Sequence, residues 1–167
     1  MQYKNINPME LNENVIRLIS LEWMLITAGD ESGYNTMTAS WGGLGFMWNR
    51  PVALCVVRPV RHTYGFIEKH GAFTLSFYDE KYKKALQLCG SKSGRDIDKA
   101  KEAGLTPVFE SGSVYFSEAR LVLICKKLYY NDINPGNFID KKINENYPNQ
   151  DYHRVYVGEI SQCLISR

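Results

Sequence analysis

The chain has 167 residues, of which 44% are apolar and 23% are charged, and its formal net charge is +2. This length predicts a single domain, residues 1–167, with a substantial hydrophobic core. Such a small net charge, without blocks of like charge, argues against a nucleic-acid partner. The 11 Tyr, 7 Phe and 3 Trp residues favour strands and a flat ligand.

The sequence predicts no membrane partner and a cytoplasmic location. Its start leads into no apolar segment of the length that a signal peptide requires, and no run approaches the roughly 18 apolar residues of a membrane span. The four cysteines form no Cys-x-x-Cys pair and lie far apart, at Cys55, Cys89, Cys125 and Cys163. We therefore expect buried, reduced thiols.

The first half of the chain predicts four strands and one helix. Residues 15–19, 24–28 and 36–40 are predicted strands, and the turn cluster 29–33 joins the last two into a hairpin. Residues 41–51 hold three glycines and two tryptophans and are predicted to be irregular. The apolar run 52–57 predicts a central strand. Thr63 is the predicted N-cap of the helix that follows.

The second half predicts a strand at 73–78, a helix at 81–89 that Gly90 ends, and a helix at 98–103 that Gly104 ends. Strands follow at 114–116, 119–128 and 153–160, with a turn at 131–136 and a short helix at 138–143. Because strands and helices do not alternate regularly, we expect a mainly β fold, an antiparallel barrel with inserted helices. A doubly wound parallel sheet is the weaker alternative.

Two stretches predict an anion site. Arg58 and Arg61 stand just before the helix start at Thr63, and guanidinium groups bind phosphate with matched fork geometry. The loop Ser91–Arg95 offers two hydroxyls, two cations and a glycine, although it lacks the order of a P-loop. The alternatives are two solvated arginines and a mobile inter-helix loop.

A third stretch, Asn35–Ser40, carries small and polar side chains that let a flat ring approach the strand backbone. The alternative is a half-exposed strand whose Thr and Ser residues simply suit a sheet. The glycines at 42–45 do not fit the dinucleotide-binding fingerprint, so a Rossmann cofactor site is rejected. The three histidines, His62, His70 and His153, have no metal-ligand spacing, and we expect no metal site. No Ser-His-Asp order or paired-carboxylate motif is recognisable.

Four motifs stand in order along the chain, at Asn35–Gly42, at Arg58–Thr63, at Cys89–Lys99, and at His153 with Gly158–Ile160. Together they resemble the flavin reductase-like family of FMN-binding split barrels, and within it the flavoredoxin-type branch. Order and spacing agree from about residue 12 to about residue 165. The stretch 131–150 has no firm match in the family.

The resemblance implies a six-stranded Greek-key split β-barrel that forms a homodimer, with FMN near the subunit interface. The residues implied to line the isoalloxazine ring, chiefly through backbone groups, are Asn35, Thr36, Met37, Thr38, Ala39 and Ser40. Those implied to hold the phosphate are Arg58, Arg61, Thr63, Ser91, Ser93 and Arg95. His153, the one candidate catalytic residue, is implied to lie near the open face of the ring, where nicotinamide or an acceptor approaches.

The function implied is that of an oxidoreductase that passes electrons from NAD(P)H through FMN to a small-molecule or protein acceptor. The flavin carries this chemistry, which suits the absence of a recognisable nucleophile. Because no nicotinamide motif stands out, a non-enzymatic FMN electron carrier of the flavoredoxin type stays open. A β-barrel binding module without flavin is the third alternative.

Overall fold

The computed structural model describes residues 2–166, and most of their regular structure is strand. Ten strands occur in that range, labelled in chain order: β1 Tyr3–Ile6, β2 Met24–Asp30, β3 Gly33–Ala39, β4 Gly42–Met47, β5 Arg50–Val57, β6 Ala72–Phe77, β7 Pro107–Glu110, β8 Ser113–Phe116, β9 Leu121–Asp132 and β10 Arg154–Ser166. Strands β7 and β8 form a separate hairpin. The other eight belong to one antiparallel sheet.

The order of the main sheet is β3-β2-β6-β9-β10-β5-β4, and β1 pairs with β10. Every second residue of six strands faces one shared core, as shown by Met24 and Ile26 of β2, by Phe73 and Leu75 of β6, and by the corresponding residues of the other four strands. The two ends of the sheet, β3 and β4, are consecutive in the chain but share no ladder within residues 2–166. The fold is therefore an open, split barrel, which confirms the predicted class. The sheet has eight strands where the resemblance implied six.

Four α-helices lie among the described residues: α1 Val15–Arg17, α2 His62–Lys69, α3 Lys83–Ser91 and α4 Lys99–Ala103. A π-helical turn, Leu18–Glu22, continues α1, and 3-10 turns occupy Pro8–Glu10, Glu80–Tyr82, Pro135–Asn137 and Lys141–Asn146. Helices α3 and α4 and the β7–β8 hairpin pack on the outer face of β2, β6 and β9 around a second apolar cluster. None of the helices in residues 2–166 is long and apolar enough to cross a membrane.

Three predicted elements are wrong, and a fourth, the helix at 81–89, continues through Gly90 to Ser91 instead of ending at that glycine. Residues 15–19 are helical, because the Asn14 side chain caps the backbone N–H of Arg17, and Leu18 and Ile19 turn into the core. Residues 41–51 contain β4 and a two-residue hairpin turn at Trp48 and Asn49, both with positive φ. In that region the glycines permit an edge strand instead of breaking it.

The third error concerns the start of α2, where Arg61 is the N-cap and Thr63 is the second helical residue. The Thr63 hydroxyl is engaged by a neighbouring strand and does not cap the helix. The helix at 98–103 ends as predicted, with Asp98 as N-cap and Gly104 in the left-handed conformation at the C-cap. The four cysteines are buried free thiols, also as predicted.

Candidate functional site

A cleft with two adjoining lobes lies where β3, the end of β5, the start of α2 and the loop after α3 meet. The first, called here the basic lobe, has a volume of about 340 Å3; the second, the strand lobe, has a volume of about 250 Å3. The basic lobe is lined by Met37, Arg58, Val60, Arg61, His62, Thr63, Ser91, Lys92, Ser93, Arg95, Lys99 and Asp151. The strand lobe is lined by Met37, Thr38, Ala39, Ser40, Trp41, Val56, Arg58, Arg61 and His153. Because Met37, Arg58 and Arg61 line both, the lobes form one continuous cleft.

The basic lobe concentrates positive charge. Arg61, Lys92 and Arg95 are exposed at its rim, and their internal contacts are weak: Arg61 Nη1 lies 3.4 Å from the Gly90 carbonyl, and Arg95 Nη1 lies 3.4 Å from the Val60 carbonyl. Most guanidinium donors at the rim therefore face the lobe or solvent. Among the described residues, five cations and one carboxylate, Asp151, line the lobe, so the lobe attracts an anion.

Lys99 is a buried cation in the floor of the basic lobe, with 7% of its surface exposed. Its Nζ donates to the Thr36 carbonyl of β3 at 2.9 Å and to the Cys89 carbonyl of α3 at 2.7 Å. Burial lowers the pKa of this ammonium. Lys99 is the last residue of the motif Cys89–Lys99, but the sequence alone indicates no role for it. The one local feature that the sequence offers is its position directly after Asp98, the N-cap of α4.

The strand lobe lies along the free edge of the barrel. Five consecutive residues, 37–41, line it. Side chains alternate between the faces of a strand, so consecutive residues share one cavity only where the strand edge itself faces it. Strand β3 pairs with β2 alone among the described strands. Its outer edge therefore presents backbone donors and acceptors to the lobe.

Asn35 and Thr36 line neither lobe. The Thr36 hydroxyl lies 2.8 Å from the Thr27 hydroxyl inside the barrel. The Asn35 amide donates to the Thr63 hydroxyl at 2.6 Å. A Cβ added at Gly94 would lie 1.8 Å from Asn35 Oδ1, so the loop after α3 packs directly on this amide. Asn35 thus joins β3, α2 and that loop behind the cleft, whereas the other eleven predicted site residues line the cleft.

Arg58 stands at the junction of the lobes and is held by residues that the sequence left unassigned. Its Nη1 donates to Asp151 at 2.8 Å, its Nη2 donates to the Asn146 carbonyl at 2.8 Å, and its guanidinium lies 5.0 Å from the centre of the Tyr147 ring. The hydrogen bond from Arg58 lowers the pKa of Asp151. This arginine is therefore part of the cleft and of an internal ion pair.

His153 directly precedes β10 and is a buried residue of the strand lobe. Its Nδ1 lies 2.9 Å from the Tyr147 hydroxyl, and its ring centre lies 5.1 Å from that of Trp41. Burial, and secondarily the Arg58 guanidinium, lower the pKa of His153 to about 4. The imidazole is therefore neutral near pH 7 and able to offer one donor and one acceptor.

An open barrel whose edge strand borders a cation-rich cleft defines the split-barrel class of proteins. The chain belongs to the flavin reductase like domain family, which matches residues 16–166. No curated protein matches the sequence.

Three solved structures show the same fold. Flavoredoxin of Desulfovibrio vulgaris (Miyazaki F) aligns over 97% of this chain and 78% of its own, with TM-score 0.69 and 21% identity. The FMN-binding protein from Thermus thermophilus, solved with p-hydroxybenzaldehyde, aligns over 98% of this chain and 82% of its own, with TM-score 0.69 and 18% identity. The NADH:FAD oxidoreductase of Streptomyces globisporus C-1027, solved with NAD and FAD fragments, aligns over 87% of this chain and 74% of its own, with TM-score 0.64 and 16% identity.

The depressed pKa of His153 predicts a pH dependence of stability. The folded value is about 4 and the ordinary value is 6.5, so in this window the unfolded chain binds more protons than the native one. The free energy of unfolding should therefore fall as the pH drops from 6.5 towards 4. Urea unfolding of His153→Gln should show a smaller fall between pH 7 and pH 5. Equal falls in the variant and the wild type would contradict the burial of a neutral His153.

Proposed function

We propose that the protein binds FMN and is an oxidoreductase that passes electrons from NAD(P)H through the flavin to a small-molecule or protein acceptor. The observation that carries this proposal is the continuity of the two lobes. A site rich in cations adjoins a free strand edge, and FMN joins a phosphate dianion to a flat heterocycle. Family membership supports the same assignment.

The basic lobe fits the phosphate. Arg61 and Arg95 supply charged donors, the hydroxyls of Ser91 and Ser93 add neutral ones, and the start of α2 brings the positive end of a helix to the same place. Thr63 contributes through its hydroxyl, which accepts from Asn35 and keeps its own proton for an acceptor in the lobe. Arg58 adds charge where the two lobes meet.

The strand lobe fits the ring. The edge of β3 from Met37 to Ser40 offers backbone N–H and C=O groups to the polar rim of a heterocycle. Asn35 and Thr36 contribute indirectly, because they fix this strand from behind. When bound, FMN supplies the hydride and electron transfer. The residues of the chain orient the ring and place donors next to the atoms that gain charge on reduction.

His153 is the proposed residue nearest the reacting face, where nicotinamide or an acceptor approaches. As a neutral, buried imidazole it serves as a hydrogen-bonding group and adds no charge beside the ring. This role is limited to orienting a co-substrate or holding a proton at one ring nitrogen.

An electron carrier of the flavoredoxin type is the second candidate. It is favoured by the absence of a recognisable nicotinamide motif in the sequence and by the fold shared with a flavoredoxin. In that case FMN would stay bound while electrons pass to and from a redox-protein partner.

We also propose a homodimer. Large apolar side chains remain exposed on the β4–β5 hairpin and on the second half of β9, namely Phe46, Met47, Trp48, Tyr129 and Tyr130. Contiguous exposed apolar surface is typical of an interface. Sedimentation should give twice the mass of the 19.2 kDa chain for the wild type and a shift towards a single chain for Trp48→Lys. A monomeric wild type would contradict the dimer.

Removal of Arg61 should weaken FMN binding. Loss of one charge-assisted phosphate contact costs about 1.5–3 kcal/mol, which is roughly a tenfold to hundredfold rise in Kd. Quenching of flavin fluorescence on titration into the apoprotein measures this. Lys4→Ala, an exposed cation on β1 that lines neither lobe, is the matched control and should leave Kd unchanged. Equal affinity of Arg61→Ala and wild type would place the phosphate elsewhere.

Anaerobic mixing with pyridine nucleotide separates the candidate functions. A reductase loaded with FMN should lose its yellow absorbance on addition of NADH or NADPH, at a rate that His153→Gln lowers. A carrier should resist both nucleotides and be reduced by a ferredoxin-type donor. A protein that stays colourless with added FMN would support a binding module without flavin.

A further inference from the structure

The segment between β9 and β10 is ordered around a small aromatic cluster. It contains two 3-10 turns, Pro135–Asn137 and Lys141–Asn146, whose preceding residues Asn134 and Asp140 cap them. The ring of Tyr147 lies 6.1 Å from that of Phe138 and 4.8 Å from that of Tyr152. Only 5% of Tyr147 is exposed, so the cluster excludes water from its centre.

The cluster is tied to the barrel by Arg58. This side chain follows the end of β5 and bonds to both sides of Tyr147, through the Asn146 carbonyl and the Asp151 carboxylate. The side chains of Arg58 and Asp151 are 23% and 13% exposed, so solvent screens the pair less than it screens a surface ion pair. Both contacts, together with the guanidinium over the Tyr147 ring, fix the segment relative to the cleft.

The cluster reaches the strand lobe through one hydrogen bond. The Tyr147 hydroxyl and His153 Nδ1 are 2.9 Å apart, and the rings meet nearly edge to face at 78°. Unlike Phe138, Tyr147 and Tyr152, His153 lines the strand lobe. A partner on Nδ1 fixes both the orientation of a neutral imidazole and which nitrogen carries the proton.

We propose that Arg58 is a positioning residue that clamps the segment Asn134–Tyr152 to the barrel. Tyr147 in this segment sets the orientation of the His153 ring and so determines which flat co-substrate can approach the open face of the flavin in the strand lobe. The clamp, meaning the contacts of Arg58 with Asn146, Tyr147 and Asp151, is inferred from the observed contacts alone. The selection of a co-substrate rests on the proposed FMN function. Asp151 lines the basic lobe but, as an anion, offers no donor to a phosphate. Its neutral variant is therefore tested in the apoprotein, where the clamp is measured apart from cofactor binding.

Hydrogen exchange of the apoprotein, followed by mass spectrometry, tests the clamp. In Asp151→Asn the amides of residues 141–152 should exchange about tenfold faster than in the wild type, because a half-buried charged pair is lost. The matched control is Asp132→Asn, which breaks the ion pair with Arg154 on the exposed end of β9. This control should leave residues 141–152 at the wild-type rate. Equal rates in Asp151→Asn and wild type would overturn the clamp whether or not the protein binds FMN.

Tyr147→Phe tests the second part, since it removes the hydroxyl and keeps the aromatic ring. The imidazole nitrogen shifts of His153 should change in the apoprotein, which shows a change of tautomer or orientation. In the FMN-loaded protein, KM for the pyridine nucleotide should rise at least about threefold while the Kd for FMN stays at the wild-type value. Unchanged nitrogen shifts and an unchanged KM would overturn the role of Tyr147. A colourless protein with shifted imidazole signals would contradict the FMN function and leave the Tyr147–His153 link intact.

Discussion

The ammonium of Lys99 holds the cleft together. It joins the Thr36 carbonyl of β3 to the Cys89 carbonyl near the end of α3, with distances of 2.9 and 2.7 Å. The first contact fixes the edge strand that borders the strand lobe, and the second fixes the helix end from which the loop Ser91–Arg95 departs. A buried charge is costly unless it is well hydrogen-bonded, so these two carbonyls restrict where both elements can lie. These two hydrogen bonds, together with the Asn35 contacts, fix the edge strand and the start of the loop Ser91–Arg95 relative to each other.

The same arrangement explains why so many cations can stand together. The last carbonyls of α3 form the negative end of a helix, and Lys99 and Arg61 both contact them. Asp151 balances Arg58 from the other side of the cleft. Within residues 2–166 the remaining charge of the rim has no partner of comparable strength, and a dianionic phosphate provides the missing balance in the proposed complex. The cleft is thus organised by its own contacts before a ligand arrives.

The parts of the site that the sequence predicted are those that depend on local pattern. The arginines before α2, the polar loop after α3 and the small residues of β3 were identifiable because each motif occupies a few adjacent positions. The strand predicted at residues 15–19 was wrong because a short run with β-branched residues fits the periodicity of a strand and that of a helix. The helix is favoured by the Asn14 cap and the burial of Leu18. Strand β4 was missed for a different reason: its three glycines indicate a turn, whereas in the structure they pair with β5 as part of an edge strand.

Several of the contacts that the sequence did not reveal join distant parts of the chain. Arg58 and Asp151 are 93 positions apart, and Lys99 reaches a carbonyl 63 positions before it. No local spacing predicts such pairs, since they depend on how the barrel brings β3, β5 and the last connection together. The sequence did not assign a role to the segment between β9 and β10. The role proposed for it depends on the hydrogen bond between Tyr147 and His153 in the structure.

The continuity of a phosphate subsite with a ring subsite is tested most directly by comparing FMN with riboflavin, which has the same ring and no phosphate. Titration of each into the apoprotein should give one FMN per chain, and a Kd for riboflavin that is roughly a hundredfold or more higher, because several charge-assisted contacts are lost together. Equal affinities would show that the basic lobe does not hold the phosphate, and no binding of either compound would contradict the flavin site altogether.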